Sequence, residues 1–183
     1  MKAIVCTQYG PPDLLQFTEV AKPVPKDDEV LIKIRAASVN PVDRLFRAPF
    51  FIRVMTGLRK PKEPRVGVDV SGQVEAVGRN ITQFKPGDEV FGLCRGAFAE
   101  YGCALENKLA LKPANISFES AAAVPVAALT ALQGLRDQGR IQQSQKVLVD
   151  GASGGVGTFA IPIAKSFGAE VTAVCSKIGR AHV

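Results

Sequence analysis

The stretch Lys146-Val-Leu-Val-Asp-Gly-Ala-Ser-Gly-Gly-Val-Gly157 decides the fold of the C-terminal part of the chain. Its first five residues are a short apolar run, which is typical of a strand buried in a parallel sheet. The residues that follow are apolar at helical spacing up to Phe167 and stop at Gly168, and Glu170–Cys175 again has the pattern of a strand. This order of strand, glycine loop, helix and strand predicts one βαβ unit.

The loop Gly151–Gly157 has the spacing A-x-G-x-x-G from Ala152 onward. Glycines let backbone N–H groups approach a pyrophosphate, and the helix N-terminus supplies the positive end of a dipole. Because a strand precedes the loop and the next strand ends about 20 residues later, the pattern predicts a dinucleotide-binding site. The predicted cofactor contacts are Ala152, Ser153, Gly154, Gly155, Val156 and Gly157. The alternative is a glycine-rich turn that binds no ligand.

The end of the second strand indicates which dinucleotide binds. An acidic residue there would bond the ribose 2′-hydroxyl of NAD and repel the 2′-phosphate of NADP. Cys175 and Ser176 stand at this position, and neither is acidic. Because the Ser176 hydroxyl can donate to a phosphate, we expect NADPH as the cofactor rather than NADH, with Ser176 as a contact.

The residues up to about Leu111 have a pattern of short strands separated by turns. Val30–Ala36 alternates after an apolar start, Val70–Val77 is extended, and Pro86-Gly-Asp88 is a turn. This pattern predicts an antiparallel, barrel-like β domain. After Pro113 the pattern becomes helical.

Two helices are predicted between the β domain and the βαβ unit. Ser117 can cap a short helix over Phe118–Ala123, and a second, alanine-rich helix is expected from about Val126 to Asp137, ended by Gly139. No repeat or low-complexity segment interrupts this organisation.

Composition limits the classes of function. The chain has 183 residues, 46% of them hydrophobic and 22% charged, which is typical of a globular protein. Its net charge of +6 comes from the segment Arg44–Arg65, which holds seven basic residues and one acidic residue. Because the rest of the chain is neutral, no nucleic-acid partner is expected.

The cellular setting is predicted from apolar runs and cysteines. The run Ala121–Leu129 is interrupted by Pro125 and is far shorter than the roughly 20 residues that cross a bilayer. The N-terminus has no signal-peptide pattern, and the four cysteines are widely spaced, which suits neither disulfides nor zinc. We therefore expect no membrane span, a cytoplasmic location and thiols that are small buried hydrophobes.

Five segments together resemble the medium-chain dehydrogenase/reductase superfamily, and more narrowly its zinc-independent quinone oxidoreductase branch. They are Ser38-Val-Asn-Pro-Val-Asp43, Gly67-Val-Asp-Val-Ser-Gly72, Lys85-Pro-Gly-Asp-Glu-Val90, Ala128-Leu-Thr-Ala-Leu132 and the glycine loop. The resemblance implies a GroES-like β-barrel catalytic domain over residues 1–116. It also implies that residues 117–183 are the first part of a doubly wound Rossmann domain that binds NAD(P).

The zinc-dependent relatives carry a cysteine and a Gly-His-Glu sequence where this chain has Asn40 and Val68. Neither residue is a zinc ligand, so we expect no metal. Without a metal to polarise a carbonyl, the chemistry that remains is hydride donation to an electron-poor carbon, as in a quinone or an α,β-unsaturated carbonyl. The resemblance therefore implies an NADPH-dependent reductase of such substrates, with enoyl-thioester reduction as the nearest alternative.

The resemblance also implies roles for individual residues. Asn40 and Asp43 would lie near the nicotinamide and the substrate, with the Asn40 amide donating to a substrate oxygen as charge develops. Thr130 matches a threonine close to the nicotinamide. The alternatives are a turn with side-chain to backbone bonds at Asn40–Asp43, and a helical Thr130 that bonds its own backbone. Asp69, at the position of the acidic residue of the zinc branch, is expected to be structural.

A different class of function is a non-enzymatic protein that binds NADPH and associates with RNA or a membrane. Phe46, Phe50 and Phe51 lie among arginines, as in surfaces that stack bases or anchor at a bilayer. The alternative for this segment is a solvated loop beside the active site. The resemblance further implies a homodimer for the full-length protein.

The last six residues, Ile178-Gly-Arg-Ala-His-Val183, correspond to the translation of a common sequencing adapter. We therefore expect residues 178–183 not to be native and the reading frame to stop by accident. On this hypothesis His182, the single histidine of the chain, is an artefact, and the 183-residue chain by itself is expected to be inactive.

Overall fold

The computed structural model describes residues 1–47, 60, 61 and 63–176. Two units are distinguished, the first spanning Met1–Pro125 and the second beginning at Val126. The boundary predicted between residues 116 and 117 stays a prediction. Phe50, Phe51 and most of the basic segment lie outside the described residues, as do residues 178–183.

The first unit contains a five-stranded sheet in which all neighbouring strands are antiparallel. Its spatial order is β6-β3-β4-β5-β7. The strands are β3 (Glu29–Ser38), β4 (Asp69–Val77), β5 (Glu89–Leu93), β6 (Tyr101–Leu105) and β7 (Leu109–Leu111). The predicted antiparallel β domain is confirmed. The described strands form an open sheet, with β6 and β7 at its edges, rather than a closed barrel.

A separate antiparallel pair precedes this sheet, formed by β1 (Lys2–Cys6) and β2 (Leu15–Glu19). Single bridges connect β1 to the rest of the unit, from Ala3 to Ala99 and from Val5 to Arg65. The β1–β2 pair is therefore held against two segments, one that leads into β6 and one that precedes β4.

The core of the first unit is built by residues that alternate along β3, β4 and β5. Val30, Ile32, Val70 and Val90 are all 0% exposed. Each buried side chain of this size stabilises the fold by roughly 1.5–3 kcal/mol. Because residues two apart on a strand point to the same face, Val30 and Ile32 point to one face of β3, where they pack with Val70 and Val90 in a single cluster.

Two helices follow the sheet: α1 (Phe118–Ala122) and α2 (Pro125–Leu132). The Ser117 side chain accepts a hydrogen bond from the Ser120 N–H, as the sequence predicts. Beyond α2 the chain continues as a π-helical segment over Gln133–Gln138 and reaches Gly139. The first predicted helix is confirmed to within one residue at its end. The second is confirmed as a helical segment, but it is α-helical only to Leu132 and π-helical from there to Gln138.

Two buried polar side chains hold α1 against the sheet. Ser71, 0% exposed, donates from Oγ to the Phe118 carbonyl oxygen at 2.5 Å. The buried Lys112 ammonium donates to the Ile116 carbonyl oxygen at 2.8 Å and lies 3.0 Å from a carboxylate oxygen of Glu89. The start of α1 is thus bound to both β4 and β5.

The second unit contains β8 (Lys146–Asp150), α3 (Gly155–Ser166) and β9 (Glu170–Val174). The two strands are parallel, with Lys146 opposite Glu170 and Asp150 opposite Val174. The predicted βαβ unit is confirmed. The prediction that β8 is buried is wrong for Leu148, which is 68% exposed. Its neighbours Val147 and Val149 pack in a cluster with residues of α3, and Leu148, between them on the strand, points to the opposite face.

The cysteines differ in their surroundings. Cys6 and Cys94 are buried and Cys103 is half-buried, as expected for small hydrophobes, whereas Cys175 is exposed, which corrects the prediction for this residue. Burial raises the pKa of Cys94 to about 12 and that of Cys103 to about 11. No helix among the described residues has the length and apolar character to span a bilayer.

Candidate functional site

Asn40 and Asp43 form a closed turn directly after β3. The Asn40 N–H donates to Asp43 Oδ2 at 2.6 Å, and the Asp43 N–H donates to the Asn40 carbonyl oxygen at 3.0 Å. Pro41 opens the 3-10 helix Pro41–Arg47, where a residue without an N–H is tolerated. Asp43 is the third residue of the helix, and its carboxylate accepts from the N–H of Asn40, the residue before the helix, as the acidic residue of a capping box does. The turn with side-chain to backbone bonds, one of the two alternatives from the sequence, is present.

The Asn40 side chain connects this turn to β4. Its Nδ2 donates to Asp69 Oδ2 at 2.9 Å and to Ser38 Oγ at 3.1 Å. Ser38 in turn donates to Asp69 Oδ2 at 2.9 Å. The register of the sheet explains this cluster, because Ser38 lies directly opposite Asp69 on the neighbouring strand. Asp69 is 0% exposed.

Two carboxyl groups therefore lie in a buried environment. Burial raises the pKa of Asp43, the backbone hydrogen bond from Asn40 lowers it, and the negative charge of Asp69 raises it, with a net rise. Asp43 Oδ1 is fully buried and has no hydrogen-bond partner among the described residues. A lone carboxylate oxygen in this setting favours the protonated form of Asp43.

The sequence predicts Asn40 and Asp43 as site residues, which stays a prediction, and it does not predict the hydrogen bonds of Ser38 with Asn40 and Asp69. A signal for Ser38 existed, since residues two apart near the end of a strand share a face. The contact with Asp69 depends on the pairing of β3 with β4, which are 30 residues apart in the chain. Among the described residues, no group of three or more His, Cys, Asp or Glu side chains is placed to hold a metal ion.

In the second unit the glycine loop adopts a tight turn between β8 and α3. Gly151 has a positive φ of 71°, and the Ala152 N–H donates to the Val174 carbonyl oxygen at 2.9 Å. The Gly154 N–H donates back to the Gly151 carbonyl oxygen at 2.9 Å. The turn is therefore closed by its own backbone and attached to the end of β9.

The two glycines of this loop that lie in α3 differ in what surrounds them. A Cβ atom at Gly157 would overlap the Gly151 carbonyl oxygen and would lie 2.7 Å from Ala152 Cα. A Cβ atom at Gly155 would meet no atom within 4 Å. Gly157 is thus required by the packing of α3 on the loop, whereas the space beside Gly155 is open to a ligand.

The N-terminus of α3 supplies free backbone donors. The Thr158 N–H bonds the Gly154 carbonyl oxygen at 2.9 Å. The N–H groups of Gly155, Val156 and Gly157 precede it in the first turn and have no partner within the helix. Ser153, Gly154, Gly155 and Val156 are exposed. These donors and the open space fit a pyrophosphate group.

The remaining predicted cofactor contacts also lie in the second unit. Ser176 is exposed and follows β9 by two residues. Because β8 and β9 are parallel, Ser176 and the glycine loop both lie at the carboxyl ends of these strands. Thr130 lies on α2, where its hydroxyl donates to the Val126 carbonyl oxygen at 2.6 Å. Ser176 therefore lies at the end of the sheet that carries the glycine loop. Thr130 bonds the backbone of its own helix, which is one of the two alternatives that the sequence leaves open.

Comparison with known proteins finds one matching domain family and a set of similar oxidoreductases. Residues 26–114 match the alcohol dehydrogenase GroES-like domain. Human quinone oxidoreductase is 38% identical over 175 residues, which are 93% of this chain and 51% of the relative. The chain thus spans about half the length of the curated relatives that it matches.

Solved structures of similar proteins include both quinone and enoyl reductases. The quinone oxidoreductase of Escherichia coli complexed with NADPH superposes with a TM-score of 0.82 at 30% identity, over 94% of this chain and 52% of the other. CurK enoyl reductase superposes with a TM-score of 0.88 at 29% identity, over 97% of this chain and 55% of the other. Both matches extend across the β domain and the βαβ unit.

Proposed function

The chain belongs to the medium-chain dehydrogenase/reductase family, and on this premise we propose that it forms part of an NADPH-dependent reductase of quinones or α,β-unsaturated carbonyls. The observation that carries the proposal is the glycine loop, whose free N–H donors and open space beside Gly155 fit a dinucleotide pyrophosphate. When bound, NADPH supplies a hydride, which the quinone takes up with one proton to give a hydroquinone.

Residues of the second unit support the choice of cofactor. Ala152, Ser153, Gly154, Gly155, Val156 and Gly157 are proposed to hold the pyrophosphate. Ser176 is exposed at the adjacent strand end and carries a hydroxyl where an acidic residue would repel a 2′-phosphate. Thr130 is proposed as a further contact of the cofactor. The NADPH complex of the similar Escherichia coli enzyme supports the same choice.

Residues of the first unit support a reaction without zinc. The positions at which zinc-dependent relatives carry a cysteine and a histidine hold Asn40 and Val68, which are not zinc ligands. We propose that Asn40 and Asp43 form the ligand-facing turn instead, and that substrates must already be electron-poor. A cytoplasmic location and a homodimer remain predictions.

The similarity to CurK enoyl reductase favours enoyl-thioester reduction as a second candidate. An enoyl thioester presents the same kind of electron-poor carbon as an enone, so both reactions need the same polar contacts. The two candidates differ in the group attached to the carbonyl, and kinetic comparison of substrates separates them.

The proposal is tested on the complete gene product that carries this sequence. NADPH and NADH are titrated by fluorescence, and NADPH oxidation is followed with a naphthoquinone, an enone and an enoyl thioester. We expect tighter binding of NADPH than of NADH and turnover of at least one substrate after treatment with a chelator. Turnover that requires added zinc, or the absence of any dinucleotide binding, would contradict the proposal.

A further inference from the structure

The side-chain amide of Asn40 is held in one orientation by its neighbours. Its nitrogen lies 2.9 Å from Asp69 Oδ2 and 3.1 Å from Ser38 Oγ. A carboxylate only accepts hydrogen bonds, and Ser38 uses its single hydrogen to donate to Asp69. Both neighbours of the amide are therefore acceptors, and the atom that faces them must be the nitrogen.

The carbonyl oxygen of the same amide, Asn40 Oδ1, faces a different environment. No described residue donates a hydrogen bond to it. Among the described residues, Asp43 Oδ1 is the single fully buried side-chain oxygen or nitrogen without a partner. Asn40 Oδ1 is consequently not fully buried, although the residue as a whole is only 9% exposed. The turn after β3 thus presents a hydrogen-bond acceptor to its surroundings.

We propose that Asp69 is a positioning residue that, together with Ser38, holds the Asn40 amide with its oxygen outward, so that Asn40 accepts a hydrogen bond from a hydroxyl or amide N–H group of a bound ligand. This inference rests on the proposed function. In this inference Asn40 accepts a hydrogen bond from the ligand, whereas the family resemblance of the sequence implies that Asn40 donates one to a substrate oxygen.

Two ligands of the proposed reaction carry such donors. NADPH has ribose hydroxyls and a carboxamide, and a hydroquinone product has two hydroxyls. An oxidised quinone offers carbonyl oxygens only, which do not bond another acceptor. The contact is therefore expected to act on the cofactor or on the reduced product, and binding measurements on each distinguish these sources.

Asp69→Asn is the first variant, because the new amide can itself donate and no longer fixes the orientation of Asn40. We expect the affinity for the ligand that carries the donor to fall about tenfold, as for one hydrogen bond lost in a buried site. The dissociation constant of NADPH and the inhibition constant of the hydroquinone show which ligand is affected. A matched control on the same strand is Glu75→Gln, which removes an exposed ion pair with Lys22.

A reciprocal pair of substitutions separates an acceptor from a donor. The double variant combines Asn40→Asp with Asp69→Asn. In it, the amide nitrogen at position 69 donates to one carboxylate oxygen at position 40, and the other carboxylate oxygen at position 40 faces the ligand. If Asn40 accepts from its ligand, affinity recovers to within about threefold of wild type. If Asn40 donates to a substrate oxygen instead, the double variant stays impaired, and the inference is overturned.

Hydrogen exchange in the unliganded protein tests the orientation of the Asn40 side-chain amide. The side-chain N–H signals of Asn40 should exchange slowly with solvent in the wild type, and about tenfold faster in Asp69→Asn, because a hydrogen bond to a buried carboxylate is lost. Equal exchange in both proteins would overturn the inference. So would an Asp69→Asn protein whose melting temperature falls while its dissociation and inhibition constants match the wild type, because that result indicates a purely structural role.

Failure of the proposed function has a different signature. A wild-type protein that binds no dinucleotide and reduces no quinone overturns the proposed function, and the inference with it, even where the Asn40 hydrogens exchange slowly. A wild-type protein that does both, with Asp69→Asn unchanged in every binding constant, overturns the inference alone.

Discussion

Gly157, in the first turn of α3, packs directly against the carbonyl group of Gly151, the residue at which the loop leaves β8. A side chain at Gly157 has no space, since its Cβ would overlap this oxygen and lie 2.7 Å from Ala152 Cα. We expect Gly157→Ala to lower the free energy of unfolding by about 1–3 kcal/mol, because the loop and helix must move apart. Thermal unfolding of the ligand-free protein measures this loss.

Gly155→Ala is the matched control for this prediction. A Cβ at Gly155 meets no atom within 4 Å, and its φ is not positive, so the melting temperature should stay near that of the wild type. The affinity for NADPH should nevertheless fall, because the methyl group fills the space proposed for the pyrophosphate. Equal destabilisation by both substitutions would contradict the assignment of packing to Gly157 and ligand space to Gly155.

These glycines show what the sequence predicts well. The βαβ unit depends on local patterns, namely an apolar run, a glycine turn and helical spacing, and all of these lie within about 30 consecutive residues. Gly157 was identified as part of the loop from its spacing alone. The distinction between Gly155 and Gly157 required the structure, because it depends on how closely α3 approaches the loop.

The cluster around Asn40 contains contacts that the sequence alone does not predict. Asn40 and Asp43 are close in the chain, so their turn was one of the two predicted alternatives. The contacts among Ser38, Asn40 and Asp69 depend on the register of β3 against β4, which no local pattern specifies. The direction in which the Asn40 amide points follows only from that pairing.

Lys112 is a second test of long-range contacts. Its side chain is 5% exposed, pairs with Glu89 at 3.0 Å and donates to the Ile116 carbonyl oxygen at 2.8 Å. We expect Lys112→Met to lower the free energy of unfolding by about 1–3 kcal/mol, since the carbonyl before α1 loses its partner. Chemical denaturation measures the loss. Lys85→Met, at an exposed position, should change stability by no more than about 0.5 kcal/mol.

The buried carboxyl group of Asp43 predicts a dependence of stability on pH. Its pKa is raised above the ordinary value of 3.8, chiefly by burial, so the folded state binds this proton more tightly than the unfolded state does. The contribution of Asp43 to stability is therefore complete below pH 3.8 and is lost as the pH rises through the folded-state pKa.

Asp43→Asn removes this titration. The melting temperature of the variant relative to wild type should increase as the pH is raised from 3.8 to neutrality, measured in a buffer series of constant ionic strength. Asp13→Asn, which removes an exposed carboxylate, serves as the control for general charge effects. A difference between Asp43→Asn and wild type that stays constant over this range would show that Asp43 ionises freely.

The cysteines are predicted to react very unequally. Burial raises the pKa of Cys94 to about 12 and that of Cys103 to about 11, so both are thiols near neutral pH. Cys175 is exposed. Iodoacetamide at pH 8 should therefore modify Cys175 at least about tenfold faster than Cys94, because the thiolate is the reactive form and access is required. Mass spectrometry of timed digests measures the order, and faster labelling of Cys94 would contradict the described burial.

Ser176 is expected to determine the preference for NADPH over NADH, on the premise of the proposed function. Ser176→Asp introduces a carboxylate at the strand end beside the glycine loop, where it would repel a 2′-phosphate and accept a hydrogen bond from a 2′-hydroxyl. We expect the ratio of the NADPH and NADH dissociation constants to shift toward NADH by at least about tenfold. Fluorescence titration of both cofactors measures the ratio.

The control for this prediction lies in the loop itself. Ser153 is exposed in the segment proposed to face the pyrophosphate, which NADH and NADPH share. Ser153→Asp should therefore weaken both cofactors to a similar extent and leave their ratio near that of the wild type. If Ser176→Asp weakens the binding of NADH and NADPH equally, the residue at this strand end does not distinguish the two cofactors. The cofactor preference must then be determined by residues other than Ser176.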